Sequence, residues 1–182
     1  MLLPIVLFTP DLPENAALVV SGDGTAVCAR FTGHLRTATL SHIYSLEERQ
    51  ARRRLGRQFV FADALELDEA PGTDLQLAHL EREVKKLLAG FSALEQDTTV
   101  VAPPWGCGAF GGDVRVKLLV LWLAASLSGR VKELRVVLVP YFRDLLGPSF
   151  DIAAKKYATM TPATIWKLLS ACEEPETIWG MQ

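Results

Sequence analysis

An α/β fold, a mixed or parallel sheet with helices on both faces, follows from three features of this 182-residue chain. Apolar runs of strand length recur along it, bounded by glycine or proline. From Asp74 onward, apolar residues fall at intervals of three and four, the core stripe of an amphipathic helix. The segment 98–139 reads strand, glycine-rich loop, helix, strand: one βαβ unit, expected to be right-handed.

In chain order, AALVVS at 16–21 has the character of a buried strand and stops at Gly22. Residues 23–44 are mixed, loop with room for one further strand. Ser45 and Glu48 have the spacing of a capping box at the head of SLEERQARRRL. FVFADAL, 59–65, is a second strand. Leu77, Leu80, Val84, Leu87, Leu88 and Phe91 line the helix that follows. TTVVAPP, 98–104, is a third strand stopped by two prolines. Asp113 is placed to cap a helix that runs to about Leu127 and ends near Gly129. LRVVLV, 134–139, is a fourth strand, ended by Pro140. GPSFDIAAKKYAT holds a short helix, and Thr161 with Pro162 opens a final one. No repeat, linker or low-complexity tract interrupts this series, so residues 1–182 are expected to form one domain.

Hydrophobic residues at 49% and charged residues at 22% place the chain among globular proteins. A net charge of -2 makes no electrostatic case for nucleic acid, and no direct DNA binding is expected. Cys28, Cys107 and Cys172 form no CxxC pair; free thiols in a reducing compartment are expected, with no metal site and no cofactor. MLLPIVLF lacks a basic n-region and a small-residue cleavage site, and Pro4 interrupts it, so it is not expected to be a signal peptide. The run LLVLWLAASLSG is shorter than the roughly 20 residues of a membrane helix and reads as a buried helix. An intracellular protein, nuclear or cytoplasmic, is the expectation.

The most informative stretch is PPWGCGAFGGD, 103–113. A glycine loop between a strand and a helix can bind phosphate, because backbone N–H groups and the helix N-terminus can face an anion. Gly106, Gly108 and Gly111 satisfy GxGxxG, but the next strand ends in Pro140 and Tyr141 without the acid a dinucleotide fold uses on ribose. No GK[ST] follows, which excludes a P-loop. A tight turn packing helix on sheet is the plain alternative; Trp105 and Phe110 favour stacking on a sugar or base instead.

WGCGAFGGD, 105–113, is similar to the signature loop of poly(ADP-ribose) glycohydrolases, whose pattern there is NWGCGAFGGD followed by a hydrophobic helix of the type LKALIQxLAA; here that helix reads VKLLVLWLAAS. The similarity extends outward in order. FTPDLPENAALVVSG, 8–22, resembles the family's FTExLxxNExLxIxG; FTGH, 31–34, resembles YTGY; RQFVFADAL, 57–65, resembles TEIVAIDAL. LRVVLVPYFRD and TPATIWKLL resemble the next strand and the final helix. The resemblance implies a macrodomain. It also implies that Gly106, Cys107, Gly108 and Ala109 line the diphosphate of ADP-ribose and that Phe110 packs on the distal ribose. The tyrosine that covers the adenine falls on His34, and Tyr141 or Phe142 forms the other wall. ADP-ribose, poly(ADP-ribose) and proteins modified with it are the implied partners. The family's Asn before the loop tryptophan is Pro104 here, which offers neither a polar side chain nor a backbone donor.

The family's catalytic motif, GGG followed by QEE, does not occur in this sequence. Cleaving a ribose–ribose O-glycosidic bond needs a carboxylic acid to protonate the leaving oxygen. The carboxylate pairs Glu47-Glu48, Asp68-Glu69 and Glu173-Glu174 follow no glycine loop and read as solvated surface; Asp63 reads as a residue anchoring its loop. No catalytic residue is therefore assigned, and the chain resembles the C-terminal part of the catalytic domain without its N-terminal portion. Three readings stand side by side: a domain that binds ADP-ribose without turnover, a piece of an active glycohydrolase, and a non-enzymatic interaction domain with a relic loop. Arg49, Arg52, Arg53, Arg54 and Arg57 could engage a polyanion or form a solvated helix face. His42 and His79 read as surface residues, and Trp122, Trp166 and Trp179 as packing.

Overall fold

A computed structural model of the chain describes residues 12–21, 29–32, 37, 39–45, 47–48, 58–70, 72–148 and 150–179. The chain divides into two compact units, residues 19–59 and residues 1–18 together with 60–182. Strands β1 (Leu18–Ser21) and β4 (Gln58–Phe61) pair with each other.

Within 19–59, β2 (Ala29–Thr32) and β3 (Thr39–Ile43) form an antiparallel hairpin whose register slips between Arg30 and Phe31. The sequence suggested one strand here and the structure has two. Threonine and serine, which resemble loop composition, hold the pair together: the hydroxyls of Thr32 and Thr39 lie 3.2 Å apart, and Ser41 donates to the Arg30 carbonyl at 3.0 Å. The capping box forms as its spacing predicts. The Ser45 N–H donates to Glu48 Oε2 at 2.7 Å, and the Glu48 N–H donates to Ser45 Oγ at 3.2 Å. His42 lies exposed with its Nε2 3.3 Å from the same carboxylate.

The larger unit runs through a 3-10 turn (Thr73–Leu75), α1 (Leu77–Ser92), β5 (Thr98–Ala102), α2 (Val114–Ser128), β6 (Val131–Val136), α3 (Pro140–Leu146), α4 (Phe150–Ala158), α5 (Pro162–Ala171) and α6 (Pro175–Ile178). Its core is built around α2. Val114, Val116, Leu118, Leu119, Val120, Leu121, Leu123, Ala124 and Ala125 are all buried, as is Lys117, so most sides of this helix pack against other elements. It lies against α1, β6, α5 and α6. Asp113 caps it by accepting from the Arg115 N–H at 2.8 Å, and Gly129 closes it in the left-handed conformation at φ 61°. On α1 the stripe Leu80, Val84, Leu87 and Phe91 is buried, whereas Leu77, the first helical residue, is exposed. Among the described residues no helix is long and apolar enough to cross a membrane.

Three boundaries differ from expectation for reasons visible in hydrogen bonding. The strand expected over 59–65 ends at Phe61, because backbone amides beyond it bond elsewhere: Leu65 N–H donates to Glu83 Oε1 at 2.7 Å and Leu67 N–H to the Phe110 carbonyl at 2.7 Å. The strand expected over 134–139 instead spans 131–136, parallel to β5. Val137 still donates to the Ala102 carbonyl at 2.9 Å, but Pro103 and Pro104 then offer no N–H to extend the ladder. Pro140, expected to end that strand, opens α3. The α/β class stands, and the strands of the described residues associate as three pairs, β1 with β4, β2 with β3 and β5 with β6.

Candidate functional site at the ends of two parallel strands

Parallel pairing of β5 and β6, with Ala102 opposite Val136, sends the chain out of both strands at the same end. The glycine loop leaves one strand there, and the segment leading to Tyr141 and Phe142 leaves the other. In α/β proteins, ligands are bound at the carboxyl ends of parallel strands.

The loop is held by its own amides at both ends. Cys107 N–H donates to Pro104 O at 3.1 Å, Gly111 N–H to Gly108 O at 3.2 Å and Gly112 N–H to Gly106 O at 3.0 Å. The Phe110 carbonyl is fixed by Leu67. The N–H groups of Gly108, Ala109 and Phe110 donate to no group among the described residues, and all three residues are exposed.

The four glycines of the loop are not equivalent. Gly106 and Gly111 have φ of 78° and 68°, where a side chain is strained. A Cβ on Gly106 would also lie 2.8 Å from Ala64 Cβ, and one on Gly111 would lie 2.7 Å from the backbone of Asp68. A Cβ on Gly112 would lie 2.9 Å from Gly106 O and fall on the Lys117 side chain. Gly108 has no positive φ, and a Cβ there would meet nothing within 4 Å. Backbone strain and internal packing therefore explain three glycines and leave Gly108 unexplained.

Beneath the loop lies a buried charged cluster. Lys117 of α2 ion-pairs with Glu83 of α1, and its Nζ is 3.6 Å from Asp74 Oδ1. Trp105 sits with its ring centroid 5.6 Å from that ammonium and donates its indole N–H to the Ala62 carbonyl at 2.9 Å. Its polar edge is turned to the protein, so it braces the loop. Phe110 is 38% exposed. Asp74 Oδ1 accepts from the Asp113 N–H at 3.1 Å, while Oδ2 has no hydrogen-bond partner among the described residues; burial pushes its carboxyl up against the pull of Lys117. With Asp113 capping α2 and Asp74 behind it, carboxylates already occupy the helix N-terminus. An anion at this loop would be met by loop amides more than by the helix end.

Cys107 is buried, and burial pushes its thiol up to about 12. The thiolate is the reactive form. In the folded protein at pH 8, iodoacetamide should leave Cys107 unmodified while it labels the partly exposed Cys172, as read by peptide mass mapping. Modification of both at similar rates would contradict this burial.

Tyr141 and Phe142 occupy the first turn of α3, their ring centroids 5.2 Å apart at an interplanar angle of 64°. Tyr141 is 69% exposed and Phe142 is half-buried. His34 and the arginines at 49, 52, 53, 54 and 57 lie outside the described residues. Asp63 is indeed tied down: Oδ2 is 2.7 Å from Arg82 Nη2, Oδ1 pairs with Lys86, and its carbonyl accepts from Arg82 Nη1 at 2.9 Å. Burial raises its carboxyl, but the bonds from Lys86 and Arg82 outweigh that and hold it below the usual range. Such a group is ionised at neutral pH and has no proton to give a leaving oxygen. Glu66 is exposed.

Lys117, Glu83 and Asp74 escaped the sequence reading, yet two signals were present. Lys117 interrupts an otherwise apolar stretch of helix, and Glu83 stands in register with the buried stripe of α1, between Leu80 and Leu87. A charge at core spacing needs a buried partner.

Residues 1–138 match the sequence model of the poly(ADP-ribose) glycohydrolase family, described as having a macro domain fold. Over 36 residues the chain is 50% identical to a protein of Arabidopsis thaliana described as probable poly(ADP-ribose) glycohydrolase 2, a match covering 20% of this chain and 7% of that relative. With three quarters of its length matched, its α/β architecture and its glycine loop at the ends of parallel strands, the chain belongs to the poly(ADP-ribose) glycohydrolase family.

Proposed function

We propose that this domain binds ADP-ribose, free or as a unit of poly(ADP-ribose), with the diphosphate on the Gly108–Phe110 amides, and that the 182-residue chain alone does not hydrolyse the polymer. The observation that carries the binding reading is Gly108. It is the loop glycine required by neither φ nor packing, and it begins a run of three N–H groups with no protein acceptor among the described residues. Consecutive free amides form an anion-binding concavity, and a residue without a side chain lets a phosphate reach them. Phe110, exposed at the end of this run, would pack on the distal ribose, and Tyr141 with Phe142 would face the adenine from the end of β6. Gly106 and Cys107, whose positions are fixed by packing and by the bond to Pro104, would shape the loop and touch the diphosphate through backbone.

The reading of no turnover rests on chemistry. The sequence contains neither GGG nor QEE, Asp63 is ionised and doubly paired, and Asp74 is 3% exposed beneath the loop. None of these supplies an accessible carboxylic acid beside Phe110. Calorimetry with the folded chain should show saturable heat with ADP-ribose, and the same preparation should release no ADP-ribose from the polymer. Absence of heat at about 1 mM ligand would overturn the binding reading. Release that persists through repurification would overturn the second.

A further inference from the structure

The charged cluster under the glycine loop has a geometry that ordinary stability does not account for. The side chains of Lys117 and Glu83 are each 2% exposed and that of Asp74 is 1% exposed. A buried ion pair of this kind is seldom more stabilising than apolar side chains of the same volume. Its partners, however, reach every part of the loop's frame. Lys117 Cε lies 3.3 Å from where a Cβ on Gly106 would be, and the same stem fills the space beneath Gly112. These two glycines are the ones that close the loop through Gly112 N–H to Gly106 O. Trp105, at the head of the loop, faces the ammonium. Glu83, through Oε1, holds Leu65, two residues from the Leu67 amide that fixes the Phe110 carbonyl. Asp74 holds the Asp113 amide at the loop's far end.

We propose that Lys117 is a positioning residue for the ligand: clamped by Glu83 and Asp74 beneath Gly106 and Gly112, it sets the loop so that the Gly108, Ala109 and Phe110 amides converge on one anion. The proposal rests on the ADP-ribose reading given above for its ligand, and on the structure alone for its effect on the loop. Lys117 does not touch the anion; glycine backbone stands between them. A slim, unbranched stem is needed there, because any residue under Gly106 and Gly112 must lie close against two backbones that carry no side chain. A charged tip is needed because it is gripped from two sides and cannot rotate, which an aliphatic side chain can.

The test is Lys117→Met with Glu83→Gln, which removes both charges at similar volume and keeps an acceptor for Leu65. Two readouts are taken: exchange of the Gly112 and Leu67 amides by NMR in the ligand-free protein, and ADP-ribose affinity by calorimetry. The expected result is a folded protein with unchanged protection in α2, exchange at Gly112 and Leu67 faster by at least about tenfold, and affinity lower by at least about tenfold, the size of one lost hydrogen bond to a charged group. Exchange within about twofold of the parent overturns the proposal, as does faster exchange with unchanged affinity. If the parent itself binds no ADP-ribose, the functional reading falls, and the exchange rates still decide whether Lys117 sets the loop. Glu83→Gln alone, in which Asp74 still faces the ammonium, is the milder variant if the double variant does not fold; it is judged by the same two readouts against the same limits.

Discussion

Gly108→Trp should abolish ADP-ribose binding while leaving the melting temperature of the protein unchanged. Both halves of this expectation come from the same geometry. A Cβ at 108 meets nothing within 4 Å and needs no left-handed backbone, and the residue is exposed, so a larger side chain can extend into solvent. The indole then occupies the space over the Gly108–Phe110 amides, where a diphosphate would have to sit. Losing several charge-assisted hydrogen bonds lowers affinity by at least about hundredfold. Calorimetry and a thermal melt on the same sample separate the two effects. Undiminished affinity would place the ligand elsewhere. The comparison with Gly112 sharpens the result: Gly112→Ala should cost stability, since its Cβ falls on the Lys117 stem and 2.9 Å from Gly106 O.

The largest effect on stability is expected from Lys117→Met alone. Glu83 would keep the Leu65 amide and the Arg82 guanidinium, 3.6 Å from its Oε1, but Oε2 would lose its buried ammonium, and so would the buried Asp74 carboxyl. Breaking one side of a buried pair costs about 3–5 kcal/mol, which for a chain of this size lowers the midpoint by roughly 2–4 °C per kcal/mol. Adding Glu83→Gln should recover part of the loss, because an amide stays buried at lower cost than a carboxylate that has lost its buried ammonium. Urea denaturation of the parent and both variants measures this directly. A single variant as stable as the parent would mean that the ammonium and carboxylate are not the buried pair described.

The sequence carries local signals well and cross-chain ones poorly. The capping box at Ser45 and Glu48, the cap at Asp113, the left-handed stop at Gly129 and the proline opening α5 were all legible, because each is decided within a few residues. The end of the strand expected over 59–65 was not. Past Phe61 the amide of Leu65 bonds to Glu83, and that of the following Leu67 to Phe110, partners that lie 18 and 43 residues away. The hairpin at 29–43 was hidden by its threonines and serine, whose hydroxyls tie the strands yet read as loop. Of the candidate site, the glycine loop between a strand and a helix could be read from the sequence. Which glycine faces outward could not, since that depends on Ala64, Asp68 and Lys117 standing beneath the other three.

The burial of Cys107 has one more consequence. A cysteine set in a ligand loop could have made that loop answer to peroxide, since sulfenic acid forms from accessible thiolates. Here the sulfur is turned inward, held as a thiol far above neutral pH, with its proton directed to the Trp105 carbonyl at 3.6 Å. The loop's geometry is therefore indifferent to oxidants that leave the fold intact, and the one sulfur in it serves as a small apolar wedge, with no part as a sensor.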